Sequence, residues 1–376
     1  MSHRILFIAS LHHPQTLQND RAKAVKNNQA LPLFPGSSAF RFWEKAMRKR
    51  DYTVDVFWRN LPGYGSQDIS RLKPEKYSNR ITPRKIAQAL MHRLPYEVNL
   101  DLRKRNENLL EKAREFQPTH LWMVGDNRAI HADTLAQIKD EIGCKLIYST
   151  GTSPIVFSHA IERQCAPLFD VVITNDFYHG IQWQELGAKD MICLPGVAID
   201  PDFHYPRAVN PDLAVDVGFV GTLLPENLYS ERVEALSALS EFGTGIWTVH
   251  DVPDSLKPFL RGSALGESML EVLSSSKISV NVHGNFMRYG GNMRLFEAAG
   301  VGAFQIVDNR PGIQEWFTPG EHLIVFEDVQ DLQEKVAYYL AHENERQAIA
   351  DAAYEHVLKH HTYDNRMDQL ENAGIL

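Results

Sequence analysis

Short apolar runs rich in Val, Ile and Phe recur along the chain, separated by amphipathic stretches of helical length. In the first half the runs are Arg4–Ser10, Tyr52–Trp58, His120–Gly125, Lys145–Tyr148, Val171–Thr174 and Met191–Val197. Between them, Phe40–Arg50, Tyr96–Phe116 and a stretch ending at Leu186 carry the apolar spacing of helices. This alternation predicts strands buried in a parallel sheet with right-handed crossover helices. Leu11–Ser38 has no clear period and contains Pro14, Pro32, Pro35 and Gly36, so it reads as a long functional loop. The proline-rich segment Asp200–Pro211 reads as a linker. Beyond it the rhythm restarts: strands at Val215–Val220, Gly245–His250, Ile278–Val282 and Ala303–Val307, and helices at Ser230–Phe242, Leu332–Lys359 and Tyr363–Glu371. Tyr338, Tyr339 and Leu340 read as core.

The most informative stretch is Ser274–Val325. A buried strand opens into a loop ending Tyr289-Gly290-Gly291-Asn292, and a helix follows over Met293–Ala299, with Asn292 as its N-cap and Gly300 and Gly302 as its stop. A helix start carrying two glycines, an asparagine and Arg294 attracts a phosphate, because unpaired N–H groups face it and glycine lets an anion approach the main chain. Glu297, one turn further in, is placed to accept hydrogen bonds from ribose hydroxyls. A nucleoside diphosphate fits this pattern. So does a plain turn with a solvated arginine and a glutamate complementing its own helix dipole.

Other candidates sit at the carboxyl ends of predicted strands, where open α/β sheets place ligands. His12 and His13 follow the first strand. Asp126 follows the third, as a general base or as a helix N-cap. Gly221 and Thr222 follow the first strand of the second half, and His250 ends the next. The region between Leu61 and Pro95, with Arg84, Lys85 and Arg93, reads as solvated loop or as a basic surface for an acceptor or membrane. No internal repeat, P-loop, nucleophile elbow or metal-ligand cluster is found.

Leu295-Phe296-Glu297-Ala298-Ala299-Gly300-Val301-Gly302-Ala303, then Asp308, Gly312, Glu315-Trp316-Phe317 and Pro319-Gly320-Glu321, resemble the nucleotide-sugar domain of GT-B glycosyltransferases, the CgeB-like (spore maturation protein-like) family in particular. The resemblance runs on through Asp331-Leu332, Tyr338-Tyr339-Leu340, Glu345-Arg346 and His361-Thr362-Tyr363, covering roughly the last hundred residues. It implies an α/β, GT-B-like protein of two Rossmann-like parallel-sheet domains facing a central cleft. The expected division is 1–205 for the acceptor, 206–361 for the donor, and 362–376 as a last helix packing back on the N-terminal domain. It implies a glycosyltransferase using a nucleotide sugar, a UDP-sugar above others, with Glu297 on ribose. Arg294, Asn292, Gly291, Gly290, Gly221 and Thr222 would face the diphosphate. Relatives in the wider group carry another glutamate eight residues earlier. Here that position is Tyr289, so the retaining outcome of the two-glutamate enzymes is not implied. For an inverting reaction the base candidates are Asp126, His12 and His13. With no DxD-type carboxylate pair, no metal is expected, and no cofactor beyond the nucleotide-sugar co-substrate. A catalytically silent nucleotide- or glycan-binding module and a nucleotide-sugar epimerase are the alternatives.

Composition sets bounds on this picture. The chain has 376 residues, 44% hydrophobic and 23% charged, as in globular proteins of two ordinary domains. No apolar run reaches the ~18 residues that span a bilayer. Cys144, Cys165 and Cys193 suit neither a disulfide framework nor a zinc site and point to a reducing, cytoplasmic compartment. Net charge is −8, yet residues 1–205 carry 27 Lys and Arg against 22 Asp and Glu, while the remainder carries 12 against 25. The basic first half favours an anionic acceptor such as nucleic acid, teichoic acid or a lipid-linked glycan, with peripheral membrane contact open.

Overall fold

The computed structural model describes residues 3–36, 38–72, 94–195 and 198–376. Arg84, Lys85 and Arg93, part of the basic surface expected from the sequence, lie outside the described residues.

The apolar runs become two six-stranded sheets. One contains β1 (Arg4–Ala9), β2 (Thr53–Trp58), β3 (His120–Val124), β4 (Lys145–Thr150), β5 (Val171–Thr174) and β6 (Met191–Cys193), in the order β2-β1-β3-β4-β5-β6. The other contains β7 (Val215–Val220), β8 (Thr244–Trp247), β9 (Leu260–Gly262), β10 (Ser276–Asn281), β11 (Gln305–Asp308) and β12 (Ile324–Phe326), in the order β12-β11-β10-β7-β8-β9. Every described pairing is parallel. In each sheet the first strand has a neighbour on either side that the chain reaches in opposite directions: β1 lies between β2 and β3, and β7 between β8 and β10. Such switch points open a crevice at the carboxyl ends of the strands. This is the GT-B-like α/β architecture expected from the sequence.

The chain divides into two compact units. One comprises Met1–Thr174, His179–Ile192 and Ala373–Leu376; the other comprises Asn175–Tyr178 and Cys193–Asn372, including the last helix, Tyr363–Asn372. In the first, Leu6, Ile8, Leu121, Met123, Leu146 and Tyr148 of the central strands pack on Leu109, Leu135, Ile138 and Trp183 from the flanking helices. In the second, Val217, Ile278, Val280 and Ile306 pack on Ala235, Leu332 and Val336, and the other face is closed by Leu295, Phe296, Trp316, Phe317 and Val357.

Three elements depart from the sequence pattern. Leu11–Ser38 contains a helix, Pro14–Lys26, in which only Leu17 and Ala24 are buried, so it has no apolar stripe to betray it. The expected helix Leu332–Lys359 is two, Val329–Ala341 and Glu343–His360, broken at His342; Tyr338 near the break is exposed rather than core. The strand Leu260–Gly262 is short and exposed throughout, which leaves no hydrophobic signature. Burial pushes the thiols of Cys144 up to about 11 and those of Cys165 and Cys193 up to about 12, as fits unreactive packing residues. Among the described residues no helix is long and apolar enough to cross a membrane.

A polar tie closes the second unit. Buried His361 places Nε2 3.0 Å from the Trp316 carbonyl and Nδ1 2.9 Å from Arg366 Nη2, so Nε2–H donates and Nδ1 accepts. Burial and the Arg366 charge push its pKa down to about 3. A histidine depressed in the folded state contributes its full stability above its unfolded pKa of about 6.5 and loses it as pH falls toward 3. Stability measured by urea unfolding is therefore expected to drop between pH 6.5 and 4.5 by up to about 1.4 kcal/mol per pH unit from this group. His361→Gln is expected to flatten that acid limb relative to the parent chain; an identical limb in the variant would refute the assignment.

Candidate active site

The second unit's crevice is built where β7 and β10 part. Arg232, on helix Glu226–Ala238, crosses it: Nη1 donates to the Thr222 carbonyl at 2.8 Å, just past β7, and Nε donates to the Val282 carbonyl at 2.6 Å, just past β10. Its guanidinium stacks over the Tyr229 ring, and burial pushes its pKa down to about 10, leaving it charged at neutral pH. Arg294 lies close enough that its charge is felt at Arg232. A Cβ at Gly221 would sit 2.8 Å from the Phe219 ring, so a side chain here would displace that ring.

The loop Tyr289-Gly290-Gly291-Asn292 is not an open nest. The amides of Tyr289 and Gly290 donate to Asp176 Oδ2 at 2.8 and 3.4 Å. Those of Gly291 and Asn292 donate to His283 Nε2 at 3.2 and 3.4 Å. His283 Nδ1 lies 2.7 Å from Asp308 Oδ1, so the ring holds its proton on Nδ1. Burial alone would raise the Asp308 pKa, but His283 and then Arg310, at 2.8 Å, hold its carboxyl below the usual range. Gly290 and Gly291 have φ of 103° and 119°, and a Cβ on Gly291 would lie 2.5 Å from the Trp316 ring. Only glycine satisfies both demands.

The turn delivers the helix Met293–Gly300. Asn292 caps it through Oδ1 and exchanges two amide hydrogen bonds with Asn281 on β10, at 2.7 and 3.0 Å. The amides of Met293 and Arg294 remain as first-turn donors. On the helix face above them Arg294 Nη1 donates to Glu297 Oε2 at 2.7 Å, while Arg294 Nε is buried and has no hydrogen-bond partner among the described residues. Glu297 is 7% exposed. The arrangement offers a carboxylate and two guanidinium groups beside a helix start, the donor and acceptor set a sugar diphosphate requires.

Arg294, Glu297, Asn292, Gly291, Gly290 and Tyr289 are thus one assembly, joined through Arg232 to Thr222 beside Gly221. His250 is exposed past the end of β8, and among the described residues no side-chain contact joins it to the group. Arg232, His283 and Asp176 were not singled out in the sequence: Arg232 and Asp176 lie far along the chain from the turn, and no local spacing marks His283, eight residues before Gly291.

In the first unit, His12 and Asp126 line one cavity of about 870 Å³ at the β1/β3 switch point, together with Arg59, Arg105, Arg128 and His159. His13 is exposed and is not among its walls. Asp126 has φ 66°, a left-handed conformation uncommon outside glycine, and its Oδ1 lies 2.8 Å from Arg128 Nε and 3.7 Å from His159 Nε2.

Residues 232–372, which hold Arg232, the glycine turn, Arg294 and Glu297, match the family model described as glycosyl transferase-like. Spore protein CgeB of Bacillus subtilis (strain 168) is 25% identical over 285 residues, 68% of this chain and 82% of that protein. The chain is thus similar to the CgeB-like glycosyltransferases, above all through its second unit. Solved GT-B structures share its fold. A sucrose-phosphate synthase from Thermosynechococcus elongatus superposes with a TM-score of 0.60 at 13% identity, over 99% of each chain. HepE of Anabaena, solved in complex with UDP-glucose, gives 0.56 at 13% identity, over 99% of this chain and 100% of HepE.

For this GT-B protein the glycine turn is testable without knowing the substrate. Gly291→Ala meets both a forbidden φ and the Trp316 ring and is expected to cost about 2 kcal/mol or more in urea unfolding. Gly320→Ala, where φ is 86° but the added Cβ meets nothing, should cost less. Equal losses would show that the Trp316 contact does not constrain the turn.

Proposed function

We propose that the second unit binds a nucleotide sugar, with a UDP-sugar as donor, and that the first unit receives the acceptor hydroxyl. One observation carries this reading: Arg232, Arg294 and Glu297 converge on the β7/β10 switch point beside a helix start. Glu297 takes the ribose diol. Arg294, the Met293 and Arg294 amides, and the Gly221-Thr222 turn take the diphosphate, over the charge of Arg232. Gly290, Gly291 and Asn292 shape the wall of the site through Asp176 and His283 rather than through free amides. That HepE was solved with UDP-glucose supports the choice of nucleotide.

In the transfer, the acceptor oxygen bonds to the anomeric carbon as the bond from that carbon to the diphosphate oxygen breaks, and the bonding electrons leave with the diphosphate. The growing negative charge falls where two guanidinium groups and a helix start already point, so no DxD-bound metal is needed in this reading. For an inverting outcome the acceptor proton passes to Asp126 or His12, which share the first unit's cavity.

Thermal denaturation with UDP and UDP-glucose tests the donor site. Ligand at ~100-fold over Kd stabilises by about 2.7 kcal/mol. Glu297→Ala and Glu297→Gln are each expected to weaken binding about 10-fold or more, the worth of a charge-assisted hydrogen bond, with the unliganded midpoint nearly retained. No shift with any nucleoside diphosphate, or the same shift in both variants, would overturn the reading. Release of UDP from UDP-glucose only when an acceptor is present separates transfer from a silent binding module and from epimerisation.

A further inference from the structure

We propose that the first unit's cavity holds an oxyanion, a phosphate or carboxylate borne by the acceptor, bound by Arg105 and Arg128 over the buried charge of Arg59. This rests on the reading that the first unit takes the acceptor.

The floor repeats the device of the donor site. Arg59, just past β2 and 2% exposed, donates from Nη1 to the carbonyls of Ile8, on β1, and Val124, at the end of β3, and from Nη2 to that of Gly125. Burial lowers its pKa, and the carboxylates of Glu162 and Asp126 act on it only through space, without a direct ion pair among the described residues. A guanidinium thus crosses the β1/β3 switch point as Arg232 crosses β7/β10.

The wall has donors to spare. Arg105 is 5% exposed; its Nη1 donates to the Arg59 carbonyl at 3.1 Å and its Nη2 to Asp101, yet its Nε is buried with no hydrogen-bond partner among the described residues. An orphaned donor of this kind costs about 1–3 kcal/mol unless something satisfies it. Asn60, the amide in the wall, is closed on Leu11, accepting from its N–H at 2.7 Å and donating to its carbonyl at 2.9 Å. Among the described residues Asp126 is the one carboxylate in the lining, and the side chain of its partner Arg128 is 65% exposed. A surface ion pair of this sort is worth about 0–1 kcal/mol, so Arg128 exchanges readily to an incoming anion. That exchange leaves Asp126 beside His159 and open to a hydroxyl proton. A neutral sugar brings no charge, whereas three arginines line this cavity against the single carboxylate of Asp126 among its described residues; an oxyanion offsets that excess.

The test uses the full-length protein with saturating UDP to fill the second unit, and titrates inorganic phosphate and acetate by calorimetry at constant ionic strength. Saturable binding of at least one anion is expected, weakened about 10-fold by Arg128→Gln and more by Arg105→Met, in line with charged hydrogen bonds. Phosphate alone identifies a phosphorylated acceptor, acetate alone a carboxylated one. Arg128 is at the rim, so its variant decides the matter if Arg105→Met does not fold. Absence of saturable binding, or binding unchanged in Arg128→Gln, overturns the proposal while UDP binding keeps the donor reading intact. Conversely, anion binding sensitive to Arg128 in a protein that ignores UDP removes the donor reading and leaves this site standing.

Discussion

A single neutral imidazole organises the proposed donor site. His283 is wholly buried past the end of β10, and its one lone pair receives the amides of both Gly291 and Asn292 while its proton goes to Asp308 at the end of β11. Two strands and a turn are thereby tied to one ring. Because the lone pair must remain available, the tautomer matters as much as the position. Asp308 fixes that tautomer, Arg310 steadies Asp308, and Arg310 in turn pairs with Glu231 on the helix that carries Arg232. The orientation of the helix start, and with it Arg294 and Glu297, follows from this chain of contacts.

The other side of the turn is set by packing. Trp316 presses on Gly291, and the Trp316 carbonyl takes hydrogen bonds from His356, at 2.7 Å, and His361. His361 receives Arg366, whose Nε also donates to the Pro195 carbonyl at 3.2 Å. The last helices of the chain therefore reach the glycine turn through one backbone oxygen. A buried network of this kind is sensitive to the loss of any member, since each orphaned group pays its full desolvation.

Much of this was legible along the chain, and the part that was not has a physical explanation. The strands declared themselves because a strand buried on both faces must be continuously apolar, as Ile5–Ile8 and Val171–Ile173 are. Glu297 and Arg294 were visible because helix periodicity puts them three apart, and the glycines because a positive φ leaves few other choices. What was not visible was who occupies the turn's amides. His283 lies eight residues before Gly291 and reads as a strand-end polar residue; Asp176 lies more than a hundred residues away. The helix Pro14–Lys26 escaped notice because its surface is polar nearly all round. The cationic lining of the first unit is assembled from three separated segments, those of Arg59, Arg105 and Arg128, none of them basic enough alone to stand out from an ordinary solvated face.

The twinned arginines, Arg59 and Arg232, have an electrical consequence. Parallel strands end in rows of carbonyl oxygens, and the mouth of such a sheet would by itself repel anything negative. By spending their hydrogens on those oxygens, two guanidinium groups cancel the repulsion and leave a net positive ground beneath each crevice. A lysine, with a compact ammonium in place of a planar fork, would have to reach both strand ends from a single nitrogen. The same clasp that pins neighbouring strands together thus sets the charge of the ground beneath each crevice.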